Sequence, residues 1–390
     1  MPNRRFVQIA LICMAAIGIF RFFYVPFNPL NPRVIAPEKF IVRVRIVKAA
    51  EKTVVKAKNK CDIRDAETGR LLKRNIKISK RQEVSSADRG IRIGRQELNS
   101  DRIRIIPRKK WLIEVDGIRY RGCIDIIKKD NGLSVINSLG LEDYLKGVLP
   151  REVSYLWPLE VIKAQAIASR SYAVYESLRR GKKEYDLTND TFSQVYGAES
   201  AEKWRTTRAV KATEGRVLEY DGKILPGYFH SSCGGHTQNI ERVWGNQILP
   251  LRGVRCGWCK WTPYFRWQVK VPAKKLVEEL TKEGYPISTV EEISPGRRDD
   301  SGRLKYVVVK SRNRVFEIGT EDFRAAVGRK SLKSANFHIK KYPLFYLFSG
   351  YGWGHGVGMC QWGALNLALR RYTCEKILKV YYPGAKIVKL

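Results

Sequence analysis

A fifteen-residue stretch near the C-terminus, GYGWGHGVGMCQWGA (350–364), constrains what this 390-residue chain can fold into more than any other segment. Its six glycines free the backbone for positive φ and for close approach of other groups. Among them stand His355, one of only four histidines, together with Trp353, Gln361 and Trp362. A flexible linker stays solvated and does not carry indoles, and a regular core strand does not tolerate so many glycines. The stretch therefore reads as a shaped loop that closes on something and sets polar groups at fixed points, as functional loops do. An irregular structural turn is the plainer alternative.

Length and charge frame the rest. The chain is long enough for about two domains and a sizeable core. An apolar content of 44% and an aromatic content of 11% exclude a disordered protein. Lys and Arg number 73 against 38 Asp and Glu, a net charge of +35. Such a field draws polyanions: nucleic acid, anionic lipid or an acidic wall polymer. No zinc-finger repeat, RNA-binding aromatic signature or helix-turn-helix pattern points to nucleic acid. At the N-terminus, Asn3-Arg4-Arg5 precedes an apolar run over 6–20 that Arg21 ends. That is the basic and hydrophobic pattern of a signal peptide or short signal anchor, here assigned to 1–25. The run is shorter than the roughly 20 residues of a comfortable span. No small-x-small cleavage site follows it, so an uncleaved membrane anchor on an exported chain is preferred over a signal peptide, and both over a buried helix.

Residues 26–110 read as a Pro-containing tether and a small basic β-rich region. Apolar and basic residues alternate over 40–47, 91–93 and 103–105, the period of half-buried strands. Residues 111–390 read as one domain of α+β class that mixes helices with antiparallel sheet. Strands over 123–127 and 133–137 flank the Asp130-Asn131-Gly132 turn. A helix is expected over 141–149, ended by Pro150, and another over 159–175, opened by Pro158. An α/β segment at about 270–336 is expected as an insertion, with helices over 273–283 and 320–327 and a hairpin near 299–302. A last helix is expected from Ala364.

Two short pairs carry metal-ligand spacing: Cys233 and His236 in HSSCGGH, and Cys256 and Cys259 in CGWC. Three thiolates and one imidazole on two such arms match a structural zinc site. His230 competes for the fourth place, and a disulfide, which an exported chain permits, is the other reading. Cys61, Cys123, Cys360 and Cys374 show no pattern. Glu152 is the carboxylate that stands out, at the break between two expected helices and near Trp157. Its i+4 neighbour is Leu156, not a cation. A carboxyl held against apolar surface has a raised pKa and acts as a general acid near neutrality; a surface or capping glutamate is the plainer reading. Glu160 suits a helix N-terminus.

Taken in order, LEDYLKGVLPREVSYLWPLEVIKAQAIASRSYAV (141–174), FSQVYG (192–197), FHSSCGGHT (229–237), CGWC and GHGVGMCQWGA resemble the motifs of the stage II sporulation protein D family. The resemblance begins near residue 120 and does not cover the preceding region. It implies a peptidoglycan lytic transglycosylase that acts on glycan strands stripped of stem peptides, with Glu152 as the single general acid/base. Glu152 would protonate the glycosidic oxygen and then take the proton of the muramic 6-hydroxyl, leaving a 1,6-anhydro end. Hydrolases need a second carboxylate; an intramolecular hydroxyl removes that need. Gln165, Arg170, Tyr172, His230, His355 and Gln361 would line the cleft. Zinc on Cys233, His236, Cys256 and Cys259 would brace the cleft wall. Some relatives resemble enhancers that activate a cell-wall amidase and cut nothing themselves, so a non-catalytic activator is the alternative. A membrane-tethered polyanion binder is a third reading. The chain departs from the family pattern at Val153 and Ser154, and it has Cys360 where the family's loop usually carries serine. Substrate and N-terminal segment together place the domain on the extracytoplasmic side of the membrane, in periplasm or wall.

Overall fold

A computed structural model describes residues 40–108, 112–181, 183–312 and 314–390. The signal segment expected at 1–25 and the tether before residue 40 lie outside the described residues. Among the described residues, no helix is long and apolar enough to cross a membrane.

Alternation of apolar and basic side chains builds the first strand, Ile41–Ala50, in which Val42 and Val44 point into the core. It pairs with Gly132–Gly140, from Ile41 opposite Gly140 to Ala50 opposite Leu133. The same sheet continues through Cys123–Lys129, Arg102–Pro107 and Lys60–Asp65 to Leu71–Lys77, all antiparallel. Leu187–Thr188 joins its other edge in parallel. A second, six-stranded sheet runs Ile118–Arg121, Leu112–Val115, Lys52–Lys56, Gln82–Ala87, Gly90–Ile93, Gln96–Leu98. Both sheets feed one core, with Val44, Val55, Ile63, Ile103, Ile113 and Ile124 buried together. The boundary expected at 110 is corrected here. Strands from before it pair with strands from after it in both sheets, because each open ladder of backbone groups needs a partner and the later strands supply it.

Helix α1 (Leu141–Glu152) starts directly on the end of the Gly132–Gly140 strand and buries Tyr144, Leu145, Val148 and Leu149. Pro150 lies inside its last turn and does not end it. A proline deletes one ladder bond, and the Val153 N–H still reaches the Leu149 carbonyl at 3.0 Å. Helix α2 (Leu159–Arg180) follows Pro158 and is buried along most of its length. Its alanines let neighbours come close: the Gly227 backbone lies so near the Ala168 carbonyl that a Cβ there would fall 2.2 Å from the oxygen. Around α2 pack α1 and α3 (Trp204–Ala212), with α4 (Ile240–Trp244) further along the chain.

The inserted segment is wider than expected. It opens with the strand Arg266–Pro272 and closes with Phe345–Tyr351, which pair in antiparallel register. Between them lie α5 (Ala273–Lys282), α6 (Thr320–Val327) and the three-stranded sheet Glu292–Pro295, Tyr306–Ser311, Arg314–Gly319. It has a core of its own, which includes Leu276, Leu280, Phe323, Phe337 and Phe348. The chain then returns to α2 through α7 (Gln361–Leu369) and α8 (Cys374–Tyr381).

Candidate functional site

Glu152 is the last residue of α1, where helix geometry gives way to extended backbone at Val153. The chain after α2 returns past this end, and the Val195 N–H donates to Glu152 Oε1 at 2.9 Å. Burial pushes the Glu152 carboxyl up to about 7, against the opposing pull of the Val195 bond. The carboxyl faces a cavity of about 230 Å³ whose other walls include Tyr172, Gln194, Tyr228, Trp244 and His355. No second carboxylate lines this cavity among the described residues. Its aromatic wall is continuous: ring centres lie 5.7 Å apart for Tyr172 and Tyr228, 4.6 Å for Tyr228 and Trp244, and 5.2 Å for Trp244 and His355. Phe192, also at the cavity, is 90% exposed.

The six residues expected at the cleft fall into three groups. Tyr172 and His355 line the cavity. His355 Nδ1 accepts the Val357 N–H at 3.0 Å, and the Phe229 backbone also hydrogen-bonds the ring. Burial lowers the His355 pKa to about 4, so the ring is neutral near pH 7 and shapes the wall. Gln361, Gln165 and His230 stand behind the wall. Gln361 Nε2 donates to the Glu152 carbonyl at 3.1 Å and to Gln165 Oε1 at 3.3 Å. His230 sits 5.7 Å from His355 between ring centres, with Nδ1 3.1 Å from the Val357 carbonyl. Arg170 lies apart from the cavity: fully buried, it forks onto both oxygens of Glu142 at 2.8 and 2.7 Å and donates to the Arg216 carbonyl. Its work is to join α2 to α1.

Sequence reasoning passed over Gln194. Buried Tyr144 donates its hydroxyl to Gln194 Oε1 at 3.1 Å, which fixes the amide and leaves Nε2 with no partner in the cavity wall. The available signal was its place in the FSQVYG segment, between Tyr172 and the chain that caps Glu152.

Behind the glycine loop, the sulfurs of Cys233, Cys256, Cys259 and Cys360 all lie within 4.8 Å of one another, and all four residues are buried. The expected ligand set is thereby corrected, with Cys360 in the place assigned to His236. The Gly234-Gly235 turn, at φ of 73° and 114°, carries His236 away, and its Nδ1 meets the Thr237 carbonyl at 2.6 Å. Cys360 arrives because Met359–Cys360 pairs in parallel with Phe229–His230. The seven described cysteines are all free thiols. Cys360 Sγ accepts from the Cys233 and Gly363 N–H groups at 3.3 and 3.4 Å, and Cys256 Sγ lies 3.3 Å from the Tyr381 hydroxyl. Four buried sulfurs with N–H and O–H donors aimed at them fit a soft divalent ion held by thiolates.

Fold and site define an α+β domain organised around one enclosed carboxyl at a helix break, under a glycine-rich loop. A sequence profile described as stage II sporulation protein matches residues 129–220, which hold Glu152 and Gln194. A second profile, for a domain of unknown function, matches 255–358. The chain is 30% identical over 270 residues to stage II sporulation protein D of Bacillus subtilis, covering 65% of this chain and 75% of that protein. It is 38% identical over 275 residues to an uncharacterized protein of Brachyspira hyodysenteriae, covering 70% and 73%. Against the amidase enhancer of Bacillus subtilis it is 28% identical over 290 residues, which span 62% of this chain but 40% of that protein. The chain belongs to the stage II sporulation protein D family.

Proposed function

We propose that this protein is an extracytoplasmic lytic transglycosylase that cuts peptide-stripped peptidoglycan strands with Glu152 as its only general acid/base. One observation carries the reading: a carboxyl raised to about 7 faces a cavity that no second carboxylate lines among the described residues. A group with that pKa is protonated often enough at neutral pH to deliver a proton to the glycosidic oxygen. As carboxylate it then takes the proton of the sugar's own 6-hydroxyl while that oxygen closes on C1. The leaving strand carries away the first proton, and the other product ends in a 1,6-anhydro ring. Hydrolysis would instead need a partner carboxylate to attack or to activate water. Val195 engages Oε1, so Oε2 is the oxygen left to work. The faces of Tyr172, Tyr228 and Trp244 give sugar rings a surface on which to stack.

The four cysteines would hold a structural zinc ion. With every position filled by a protein thiolate, the metal supplies cross-linking and no chemistry. It would tie the Cys233 loop to Cys360, and through Cys360 to the start of α7. The apolar segment at 6–20 supports export and a membrane tether.

The relative named amidase enhancer supports a second reading, in which the chain activates a cell-wall amidase and cuts no glycan. Wild type and Glu152→Gln, both checked for folding, separate the two when given purified peptide-free strands and, in parallel, amidase with intact wall. Release of glycan fragments by wild type alone is the expected result. No release by either, with amidase stimulation by both, would replace the enzyme reading with the enhancer one.

A further inference from the structure

We propose that Arg303, carried by the inserted segment, belongs to the four-cysteine metal site as its buried countercharge. This rests on the reading of that cluster as a metal centre. Arg303 sits at the end of the 298–303 turn of the insertion and is 1% exposed. Its guanidinium donates to the Cys233 carbonyl at 2.8 Å and to the His236 carbonyl at 3.0 Å, so it grips both ends of the turn that presents the first cysteine. Nε is buried without a partner.

Among the described residues, Arg303 makes no ion pair with a carboxylate: Asp299, whose Oδ1 accepts the Arg303 backbone N–H at 3.3 Å, and Glu321 act on the guanidinium only from beyond ion-pair distance. A buried guanidinium without a paired anion is unfavourable, and buried charges are normally paired or set beside a metal centre. Four thiolates around a divalent ion make a centre with two surplus negative charges, also buried. Each supplies what the other lacks. The contact is also close: Gly356, at φ of 86°, where a side chain would be strained, passes so near that a Cβ there would lie 2.5 Å from an Arg303 terminal nitrogen. The turn is held there by a polar lock, in which Gln238 N–H donates to the Gly356 carbonyl at 2.7 Å, Gln238 Nε2 to Asp299 Oδ2 at 2.6 Å, and Ser301 Oγ to Gln238 Oε1 at 2.7 Å. The insertion is thus the part of the molecule that completes the metal site of the main body, and Arg303 is a positioning residue for it.

The test uses the full-length chain loaded with cobalt, whose tetrathiolate absorption reports the ligand set, and zinc affinity measured by competition with a chromophoric chelator. Loss of an outer partner typically weakens metal binding by about 10- to 100-fold. That is the loss expected for Arg303→Met, with a smaller one for Arg303→Lys, which keeps the charge. Coupling is reciprocal, so zinc added to metal-free wild type must in turn slow amide exchange at Gly302 and Arg303. This second measurement decides even if Arg303→Met fails to fold. Wild type that binds no metal sinks the metal reading itself. Wild type that binds metal, with unchanged affinity in Arg303→Met or unchanged exchange in the 298–303 turn, sinks the assignment of Arg303 alone.

Discussion

The side-chain amide of Gln361 donates to the backbone carbonyl of Glu152 at 3.1 Å. This bond joins the first residue of α7, immediately after the glycine loop, to the last residue of α1. The Glu152 carboxyl and the loop that walls its cavity are therefore set in one frame, with Gln165 Oε1 as a second acceptor that holds the Gln361 amide.

Gln361→Ala should leave the fold intact and loosen that frame. Misplacement of a reacting group by about 1 Å can cost on the order of 100-fold in rate. The expected outcome is a fall in kcat of up to that size with little change in KM, followed as soluble glycan released per unit time. A change in KM alone would show that Gln361 touches substrate and does not position Glu152.

The raised pKa of Glu152 has consequences for rate and for stability. Protonation is needed for the first step, so kcat/KM should fall as pH rises through about 7. The folded protein binds this proton more tightly than the unfolded chain, whose carboxyl titrates near its ordinary value. Folding is therefore favoured by the proton at low pH, and that contribution is lost as pH rises through the folded pKa of about 7. Glu152→Gln removes the dependence: thermal melts should show the variant gaining on wild type as pH rises from about 5 toward the folded pKa of about 7, with a constant gap above it. Parallel melting curves at every pH would contradict the enclosed carboxyl.

Arg170 is fully buried away from the cavity and paired with Glu142, the setting of a structural cation. Breaking a buried ion pair by removing one partner costs about 3–5 kcal/mol, so Arg170→Met should lower the urea midpoint sharply. Where the variant remains folded, its KM for glycan should match wild type. A folded, stable variant with a raised KM would return Arg170 to the cleft.

Elemental analysis of purified variants distinguishes the fourth ligand. His236→Ala should retain bound metal, because His236 turns to the Thr237 carbonyl. Cys360→Ala should lose it and melt at lower temperature, since one of four converging sulfurs is gone. Metal retained in Cys360→Ala and lost in His236→Ala would reverse the assignment.

Much of the local structure was legible in the sequence. Thr320–Val327 forms where helical spacing placed it, and the Asp130-Asn131-Gly132 turn joins the strands expected on either side. The misses share a physical cause, which is that distant segments decide them. Spacing favoured His236 over Cys360, because residues close in sequence reach one ion easily; the pairing of His230 with Cys360, which brings the sulfur in from the far end of the chain, leaves no mark on either segment. The boundary at 110 failed in the same way, since strand pairing crosses it. Glu152 stood out through its place at a helix break. Its burial could not be read there, because Val195, Trp244 and His355 supply the walls. Gln194 stayed hidden because only the Tyr144 hydroxyl reveals which end of its amide is unpartnered.

The most direct test of Glu152 as a lone acid/base is the fate of water. Peptide-free glycan strands are digested in ¹⁸O-labelled water and the fragments weighed by mass spectrometry. A transglycosylase leaves new ends that lack one water and carry no label, and Glu152→Gln leaves none. New reducing ends carrying ¹⁸O would show that water is the nucleophile and that a second catalytic carboxylate exists, contradicting the single-carboxyl mechanism.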